Sequence, residues 1–269
     1  METLVLKFGG AAFSKTSDFG NIADIIIEHK KTTRKIVIVV SAMKNMTSNL
    51  IELSKSVHPS PPKREQDMLV SVGERISMSL LAMALHVKGV NAVSFTGSQS
   101  GIITNADHAN AFIQDVKPYR IQKELTKGNV VIVAGFQGMS VDKEITTLGR
   151  GGSDTTAVAL GVALNAREVI FYKDVSGVYT KDPKKYANPM PISYLHYIDA
   201  LAIVKNGAQI LHKRAIVLAE KNHIPLLVTS FKTRGKDFFG TRIESLVVRE
   251  VQSKYYELQS VNVACQASH

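Results

Sequence analysis

The segment Thr146–Asp154 carries the residues best suited to chemistry, because it combines three glycines, hydroxyl groups and an arginine just before the apolar series Ala157–Leu160. A loop that becomes a helix here would aim several unpaired backbone N–H groups at one point, where the helix dipole also favours negative charge. Arg150 adds a planar guanidinium that suits a carboxylate or a phosphate. The segment therefore predicts an anion site. The alternative is an ordinary glycine-rich turn in which Ser153 caps the helix.

Short, continuously apolar runs alternate along the chain with longer segments of helical spacing. Apolar runs of this kind are typical of strands buried on both faces, and their alternation with helices predicts a parallel α/β sheet. The predicted strands are Leu4–Phe8, Ile36–Val40, Ala92–Phe95, Val130–Ala134, Val169–Tyr172 and Pro225–Val228. The predicted helices are Phe19–Glu28, Met46–Ser56, Met68–His86, Ser153–Leu164, Ile198–Val204 and Arg214–Glu220. Ser140–Thr147 is predicted to form a β-hairpin, whereas Pro59–Arg64 is either a connector between helices or a cover over the site.

Polar and glycine-bearing loops follow the predicted strands. They include Lys7–Gly10, Ser41–Met43, Thr96–Gly101, Gly135–Gly138 and Lys173–Tyr179. Ligands bind at the carboxyl edge of parallel sheets, where small residues let a ligand approach the backbone closely. The sequence thus predicts a ligand site along one sheet edge.

Composition restricts the classes of function. The chain has 269 residues, of which 45% are hydrophobic, and its net charge of +10 comes from basic residues spread along the sequence. Such a distribution favours small anionic ligands over nucleic acid. The single Cys265 permits no internal disulfide. We expect no apolar run to reach the length of a membrane span and no secretory leader at Met1 to Phe13. We therefore expect a cytoplasmic protein that binds neither nucleic acid nor membrane.

Several enzyme classes lack their motifs in this sequence. There is no GxxxxGK(S/T) phosphate loop, and Gly97–Gly101 has glutamine where a serine hydrolase needs its nucleophile. The histidines are scattered and no metal-ligand spacing is present, so no metal site built from protein side chains is predicted.

In their order along the chain, the loops resemble the catalytic domain of aspartokinases in the amino-acid kinase family. The matching pieces are Lys7–Gly10, Val39–Met43, Gly73–Ser77, Thr96–Gln99, Gly135–Gly138, Thr146–Thr155, Lys173–Pro183 and Gly207–His212. The resemblance implies an α/β fold, a three-layer αβα sandwich with a mainly parallel open sheet of about eight strands. It also implies a catalytic domain over residues 1–245, divided into an amino-acid lobe at 1–168 and a nucleotide lobe at 169–245. Residues 246–269 would be a tail without an ACT domain.

The same resemblance implies transfer of the γ-phosphoryl group of ATP, with Mg²⁺, to the side-chain carboxylate of L-aspartate. The product would be 4-phospho-L-aspartate, in the first step toward lysine, threonine and methionine. A carboxylate is ionised at neutral pH and needs positioning and charge neutralisation rather than a general base. Two alternatives remain: a kinase for another amino-acid carboxylate, and a silent subunit that only binds ligands. The family also implies a homodimer through helices of the amino-terminal half.

The resemblance assigns roles to individual residues. Lys7 and Asp174 are expected to be catalytic, with Lys7 neutralising the transferred phosphoryl group and Asp174 organising the lysines near Mg²⁺. The expected substrate-binding residues are Ser41, Thr47, Glu74, Arg150, Gly151, Gly152, Ser153 and Asp154, in which Glu74 takes the α-ammonium and Arg150 a carboxylate. The expected nucleotide-binding residues are Lys7, Gly9, Gly10, Lys173, Asp174, Tyr179, Asp182, Lys184 and Gln209.

Each assignment has a simpler alternative. Lys7 could be a surface lysine at a strand end, and Glu74 a solvated charge at the head of a helix, where acids are favoured. Asp174 could begin a turn, and Tyr179 could be an ordinary half-buried aromatic residue.

The sequence departs from the family's pattern at a few positions. Ala11 stands where a hydroxyl often follows Lys7–Gly10, and such a hydroxyl is worth about 1 kcal/mol. Gln209 and Lys213 stand where many members have lysine and proline, and Lys173 replaces a common threonine. None of these changes removes a residue assigned to catalysis, so we expect turnover. Aspartokinases usually continue into ACT modules that bind lysine or threonine, and this sequence ends about where those would begin. It is therefore either an enzyme without that regulation or an excised domain, and we expect it to be insensitive to both amino acids.

Overall fold

The computed structural model describes residues 2–181, 188–208, 210–232, 240–245 and 254–257. The strands are β1 (Thr3–Phe8), β2 (Lys35–Val40), β3 (Ala92–Phe95), β4 (Ile102–Thr104), β5 (Ile113–Val116), β6 (Val130–Ala134), β7 (Gln137–Ser140), β8 (Ile145–Thr147), β9 (Ala166–Lys173), β10 (Val178–Tyr179), β11 (Pro191–Ile192), β12 (Tyr194–Leu195), β13 (Leu226–Ser230) and β14 (Thr241–Ile243). The helices are α1 (Asp18–Lys30), α2 (Met46–Val57), α3 (Lys63–Val70), α4 (Val72–Val87), α5 (Tyr119–Thr126), α6 (Gly152–Ala163), α7 (Tyr197–Lys205) and α8 (Lys213–Lys221).

Eight strands form the large sheet in the order β12–β14–β13–β9–β1–β2–β6–β3. Every neighbouring pair is parallel except β13–β14, which is antiparallel. The predicted mainly parallel sheet of eight strands is therefore confirmed. β1 lies inside the sheet between β2 and β9, which places the residues after Phe8 at the middle of its carboxyl edge.

Helices cover both faces of this sheet, which explains the unbroken apolar runs. In β2, Val37 and Val39 pack into the core under α5, α6, α7 and α8, whereas Ile36 and Ile38 pack against α1 and α4 on the other face. A strand buried on both faces has no need of polar alternation. The helices against it are apolar at i, i+3, i+4 and i+7, as in Met78, Leu81, Ala82 and Leu85 of α4. The result is the predicted three-layer αβα sandwich.

A second sheet of four strands, in the order β5–β4–β7–β8, contains the predicted hairpin. The hairpin itself is confirmed, because β7 and β8 pair antiparallel from Gln137↔Thr147 to Met139↔Ile145. The partner strands β4 and β5 were not predicted, since they are only three and four residues long and contain polar positions. Short strands of this kind give little periodic signal.

The single helix predicted at Met68–His86 is instead two helices, α3 and α4, with Ser71 between them. Pro59–Arg64 leads into α3, whose first residue is Lys63, so this segment connects α2 to α3. Arg64 Nη2 also lies 2.8 Å from Glu144 Oε2 in the turn of the hairpin.

By length and composition alone, the helical stretch Lys63–Val87 could cross a membrane, contrary to the expectation that no apolar run would be long enough. Leu81 and Leu85 within it are fully buried in the core against α1 and the sheet. We therefore interpret the stretch as helices of the protein core, with an outward face that is also partly apolar.

Candidate active site

A cleft of about 450 Å³ opens at the carboxyl edge of the large sheet, beside the ends of β1 and β2 and the start of α6. All of the residues predicted to bind the substrate line it, namely Ser41, Thr47, Glu74, Arg150, Gly151, Gly152, Ser153 and Asp154. Lys7 and Gly10 line it as well. Residues that lie far apart in the sequence therefore meet in one cavity.

Lys7 is buried and its ammonium group pairs with Asp154 in the first turn of α6. Lys7 Nζ lies 2.6 Å from Asp154 Oδ1, and Lys7 is 5% exposed, which rules out a surface lysine. Alternation along β1 explains this orientation: Lys7 faces the same side as Val5, and that side is covered by α6. A second ammonium group, from Lys173, lies 3.6 Å from Asp154 Oδ2.

Asp154 is thus the carboxylate that contacts both lysines. Burial alone would raise the pKa of Asp154, but the ammonium groups of Lys7 and Lys173 hold that pKa well below its usual range. The pKa of Lys173 is lowered by its own burial, against the opposing effect of Asp154. The role of organising the lysines was expected of Asp174. In the structure Asp154 contacts both lysines, and the charge of Asp174 also opposes the lowering of the Lys173 pKa. The organising role of Asp174 stays a prediction.

The start of α6 is built from glycines that could not be replaced without strain. Gly151 is the N-cap of α6 with φ of 75°, and a Cβ on it would lie 2.1 Å from His212 Cγ. Gly149 also has positive φ, at 70°. No side chain caps the helix, so Ser153 is not a cap; it lies in the first turn against Gly135. The segment Leu148–Gly151, called the Arg150 loop below, therefore presents bare backbone and an exposed arginine to the cleft.

Glu74 is buried in the first turn of α4 with one oxygen in need of a partner. Glu74 is only 3% exposed. Its Oε1 accepts a hydrogen bond of 3.0 Å from Ala42 N–H. Among the described residues, Oε2 has no hydrogen-bond partner. Burial raises the pKa of Glu74 to about 7, although the Ala42 N–H and the charge of Lys7 oppose the shift. Glu74 is therefore not a solvated helix-head charge.

The residues predicted to bind nucleotide are only partly described. A Cβ on Gly10 would lie 2.8 Å from Ala42 O, so this glycine allows the turn after β1 to pass close to the end of β2. Lys173 ends β9, and the half-buried Tyr179 pairs with Pro191 in the small β10–β11 sheet. Asp182, Lys184 and Gln209, which are predicted to bind nucleotide, lie outside the described residues.

Asp67 of α3 is a functional candidate that the sequence did not reveal. It is completely buried and accepts hydrogen bonds from Thr147 N–H, Thr147 Oγ1–H and Ala109 N–H, and it contacts His108 Nδ1 at 2.8 Å. Thr147 directly precedes the Arg150 loop, and a Cβ on Gly149 would lie 3.0 Å from Ala109 O. Asp67 thus hydrogen-bonds to Thr147 and to Ala109, and so to both segments that lie beside the loop. A single acidic residue in a helix carries no pattern that would mark this role.

No group of three or more His, Cys, Asp or Glu side chains converges among the described residues in a way that could hold a metal ion. Mg²⁺ commonly binds kinases through one or two carboxylates together with substrate phosphates. Asp174, whose charge acts on Lys173, is the carboxylate that the sequence predicts to lie near Mg²⁺.

Fold and site together define an α/β protein in which two buried lysines and a glycine-rich helix start meet at the carboxyl edge of a mainly parallel sheet. The chain belongs to the amino acid kinase family, whose sequence model matches residues 2–230.

Curated relatives make the similarity more specific. The chain is 45% identical over 250 residues to the aspartokinase of Bacillus sp. (strain MGA3), a match that covers 93% of this chain and 60% of that protein. It is 46% identical over 230 residues to aspartokinase 2 of Bacillus subtilis (strain 168), covering 86% of this chain and 56% of that one. The crystal structure of aspartate kinase from Synechocystis superposes with a TM-score of 0.81 at 35% identity, over 93% of this chain and 40% of that chain. The chain thus spans about 60% of the curated relatives' length.

Proposed function

We propose that the protein transfers the γ-phosphoryl group of ATP to the side-chain carboxylate of L-aspartate, giving 4-phospho-L-aspartate and ADP. The observation that carries this proposal is that Glu74 and Arg150 line one cleft together with Lys7. A buried carboxylate, a guanidinium and an ammonium in one cavity complement an amino acid with two carboxylates. The similarity to aspartokinases at about 45% identity supports the same substrate.

In the proposed complex, Glu74 receives the α-ammonium group of aspartate. Its Oε2 is buried without a partner among the described residues, and an ammonium group would supply three donors there. Arg150 at the rim of the cleft holds a carboxylate with two parallel hydrogen bonds, and the backbone at Gly151–Ser153 offers the positive end of α6. Ser41 and Thr47 line the remaining wall.

The chemical step needs no general base. The ionised side-chain carboxylate attacks the γ-phosphorus, a new P–O bond forms, and the bond to the β-phosphate oxygen breaks to release ADP. Lys7 neutralises negative charge on the phosphoryl group during its transfer. Because Asp154 holds both Lys7 and Lys173, the two ammonium groups stay in place as the anions approach each other.

The nucleotide would lie toward the second half of the chain. We assign its phosphates to Gly9, Gly10, Lys7 and Lys173, and the remainder to Asp174, Tyr179, Asp182, Lys184 and Gln209. Mg²⁺ would arrive with the phosphates and reduce their charge, with Asp174 nearby. This divides the chain into an amino-acid lobe at 1–168 and a nucleotide lobe at 169–245. In the cytoplasm, such an enzyme would open the route to lysine, threonine and methionine.

The test is acyl-hydroxamate formation with ATP and Mg²⁺, in parallel reactions with L-aspartate, L-glutamate and no acceptor. The Lys7→Ala variant serves as the blank and Lys127→Ala as the matched control, because Lys127 is an exposed lysine paired only with Glu124 on the surface. Product that depends on aspartate and is absent from the Lys7 variant alone supports the proposal. Product with glutamate instead, or ATP binding without any product, would contradict it and favour another carboxylate or a silent subunit.

We also propose that two copies pair through the outward face of α4. Val72, Met83 and Val87 are 37%, 61% and 88% exposed, and the half-buried Ile76 and Leu80 lie between them at helical spacing. A second α4 would cover this stripe in a two-fold dimer. Sedimentation should show a dimer for the native protein and a monomer for Met83→Glu; a native monomer at every concentration would refute the interface.

A further inference from the structure

We propose that Arg214, at the start of α8, positions the Arg150 loop, and that Glu257 from the segment Lys254–Glu257 holds Arg214 in place for this task. The inference rests on the proposed function for its kinetic consequence only. Arg214 is not among the residues that line the described cleft, so it is a positioning residue rather than a catalytic one.

The guanidinium of Arg214 joins three separate segments. Nη1 donates to Leu148 O, and Nη2 donates to Ala111 O at 2.7 Å. On its other side, Nε and Nη2 donate to the two carboxylate oxygens of Glu257 at 2.5 and 2.9 Å. The guanidinium also lies over the ring of Phe112, with 4.5 Å from Cζ to the ring centroid. Its planar fork explains why arginine is needed here and lysine would not serve.

These carbonyl groups belong to the two segments that set the position of the Arg150 loop. Leu148 is the first residue of the loop, and Ala111 N–H donates to Thr147 O immediately before it. His212, the residue just before α8, contacts the loop as well. It packs directly on Gly151, and its N–H donates to Asp154 Oδ2 at 3.3 Å. The beginning of α8 therefore supports the loop from behind.

The segment Lys254–Glu257 is seated at several points. Lys254 Nζ donates to Ala163 O at the end of α6, and Tyr255 exchanges two backbone hydrogen bonds of 2.9 Å with the side chain of Asn222. Tyr256 is buried. Glu257 Oε2 also accepts from Ile113 N–H at 2.8 Å, so its carboxylate cannot shift without disturbing β5.

Loss of Glu257 would leave the buried guanidinium of Arg214 without its counter-ion. The side chains of Arg214 and Glu257 are only 17% and 7% exposed, so solvent would replace the carboxylate poorly. Arg214 would then move toward water and release Leu148 O. Small displacements of a substrate-positioning loop have large effects on a reaction that depends on alignment.

The experiment uses Glu257→Gln, Arg214→Lys and the double variant of the full chain, with Lys221→Ala at the exposed end of α8 as the control. Steady-state kinetics should show the KM for aspartate raised about tenfold in each single variant, with the KM for ATP little changed. The double variant should be no worse than Arg214→Lys, because both changes act through one contact. Lys221→Ala should leave the KM for aspartate unchanged.

Hydrogen exchange on the ligand-free protein gives an independent readout. Amides of residues 148–154 should exchange faster in Glu257→Gln and Arg214→Lys than in the wild type or in Lys221→Ala. This measurement stands even when the enzyme proves to use another acceptor. Unchanged exchange in the loop, equal increases in both KM values, or additive effects in the double variant would overturn the proposal.

Discussion

Replacing Glu74 with glutamine separates what this residue does for binding from what it does to stability. The side chain is buried, one oxygen accepts from Ala42 N–H and the other has no hydrogen-bond partner among the described residues. Glutamine keeps the size and the acceptor for Ala42 but carries no charge. We expect the variant to lose affinity for aspartate and to gain stability at neutral and alkaline pH.

The magnitude follows from the pKa of Glu74, which burial raises from 4.5 to about 7. A shift of this size corresponds to about 3 kcal/mol of differential interaction between the two protonation states. Between pH 4.5 and 7 the native protein keeps a proton on Glu74 that the unfolded chain has released. The free energy of unfolding therefore falls as the pH rises through this window, and the full penalty of about 3 kcal/mol is present above pH 7.

Urea unfolding at pH 5, 6, 7 and 8 measures the effect. The free energy of unfolding of Glu74→Gln minus that of the wild type should increase by about 2 to 3 kcal/mol across this range. The matched control is Glu52→Gln on the exposed side of α2, for which the difference should stay flat. A flat difference for Glu74→Gln would refute the assignment of a raised pKa.

The binding side of the same prediction is measured in the kinase assay. Loss of a charged partner for the α-ammonium group should raise the KM for aspartate about 10- to 100-fold and leave the KM for ATP almost unchanged. In the wild type the KM for aspartate should fall as the pH rises toward 7, because Glu74 becomes ionised. An unchanged KM for aspartate in the variant would show that the ammonium group binds elsewhere.

Other substitutions probe the remaining parts of the cleft. Lys7→Met removes a cation from buried Asp154, so it should lower kcat by about 100-fold or more and reduce the free energy of unfolding by about 2 to 4 kcal/mol. Rapid-quench kinetics and urea unfolding measure the two effects. A normal kcat would refute the role of Lys7. Arg150→Lys should raise the KM for aspartate about tenfold without a change in melting temperature, because the exposed guanidinium loses bidentate geometry only. Asp67→Asn should reduce the free energy of unfolding by about 1 to 3 kcal/mol and also raise the KM for aspartate, because the two segments beside the Arg150 loop lose their carboxylate acceptor. A loss of stability with a normal KM would make Asp67 purely structural.

The sequence predicted the central strands and the main wall of the cleft for a physical reason. Strands such as β1 and β2 are buried on both faces, so nearly all of their residues are apolar and the sequence shows them as unbroken apolar runs. Parallel strands bring their carboxyl ends to one edge, so the polar loops that follow them were expected to meet. Lys7 and Arg150 came together by this logic, whereas Glu74, in helix α4, was expected at the site only from the family resemblance.

The contacts that depend on packing between distant elements were not predictable in the same way. Asp154 was expected to touch substrate, and only the packing of α6 on β1 reveals it as the counter-ion of Lys7. Asp67 gave no signal, because a buried acceptor of several hydrogen bonds looks like any helical aspartate. The pairing of Arg214 with Glu257 spans 43 residues and depends on a short segment that has no periodic pattern.

The position of β1 inside the sheet also has a consequence for how the chain folds. β1 pairs on one side with β2, which follows within the first 40 residues, and on the other with β9, which begins only at Ala166. During synthesis one edge of β1 therefore stays unpaired, and can pair with wrong strands, until more than half of the chain has left the ribosome. Lys7 meets Asp154 late for the same reason. Such long-range pairing slows folding, and the active site is among the last features to form.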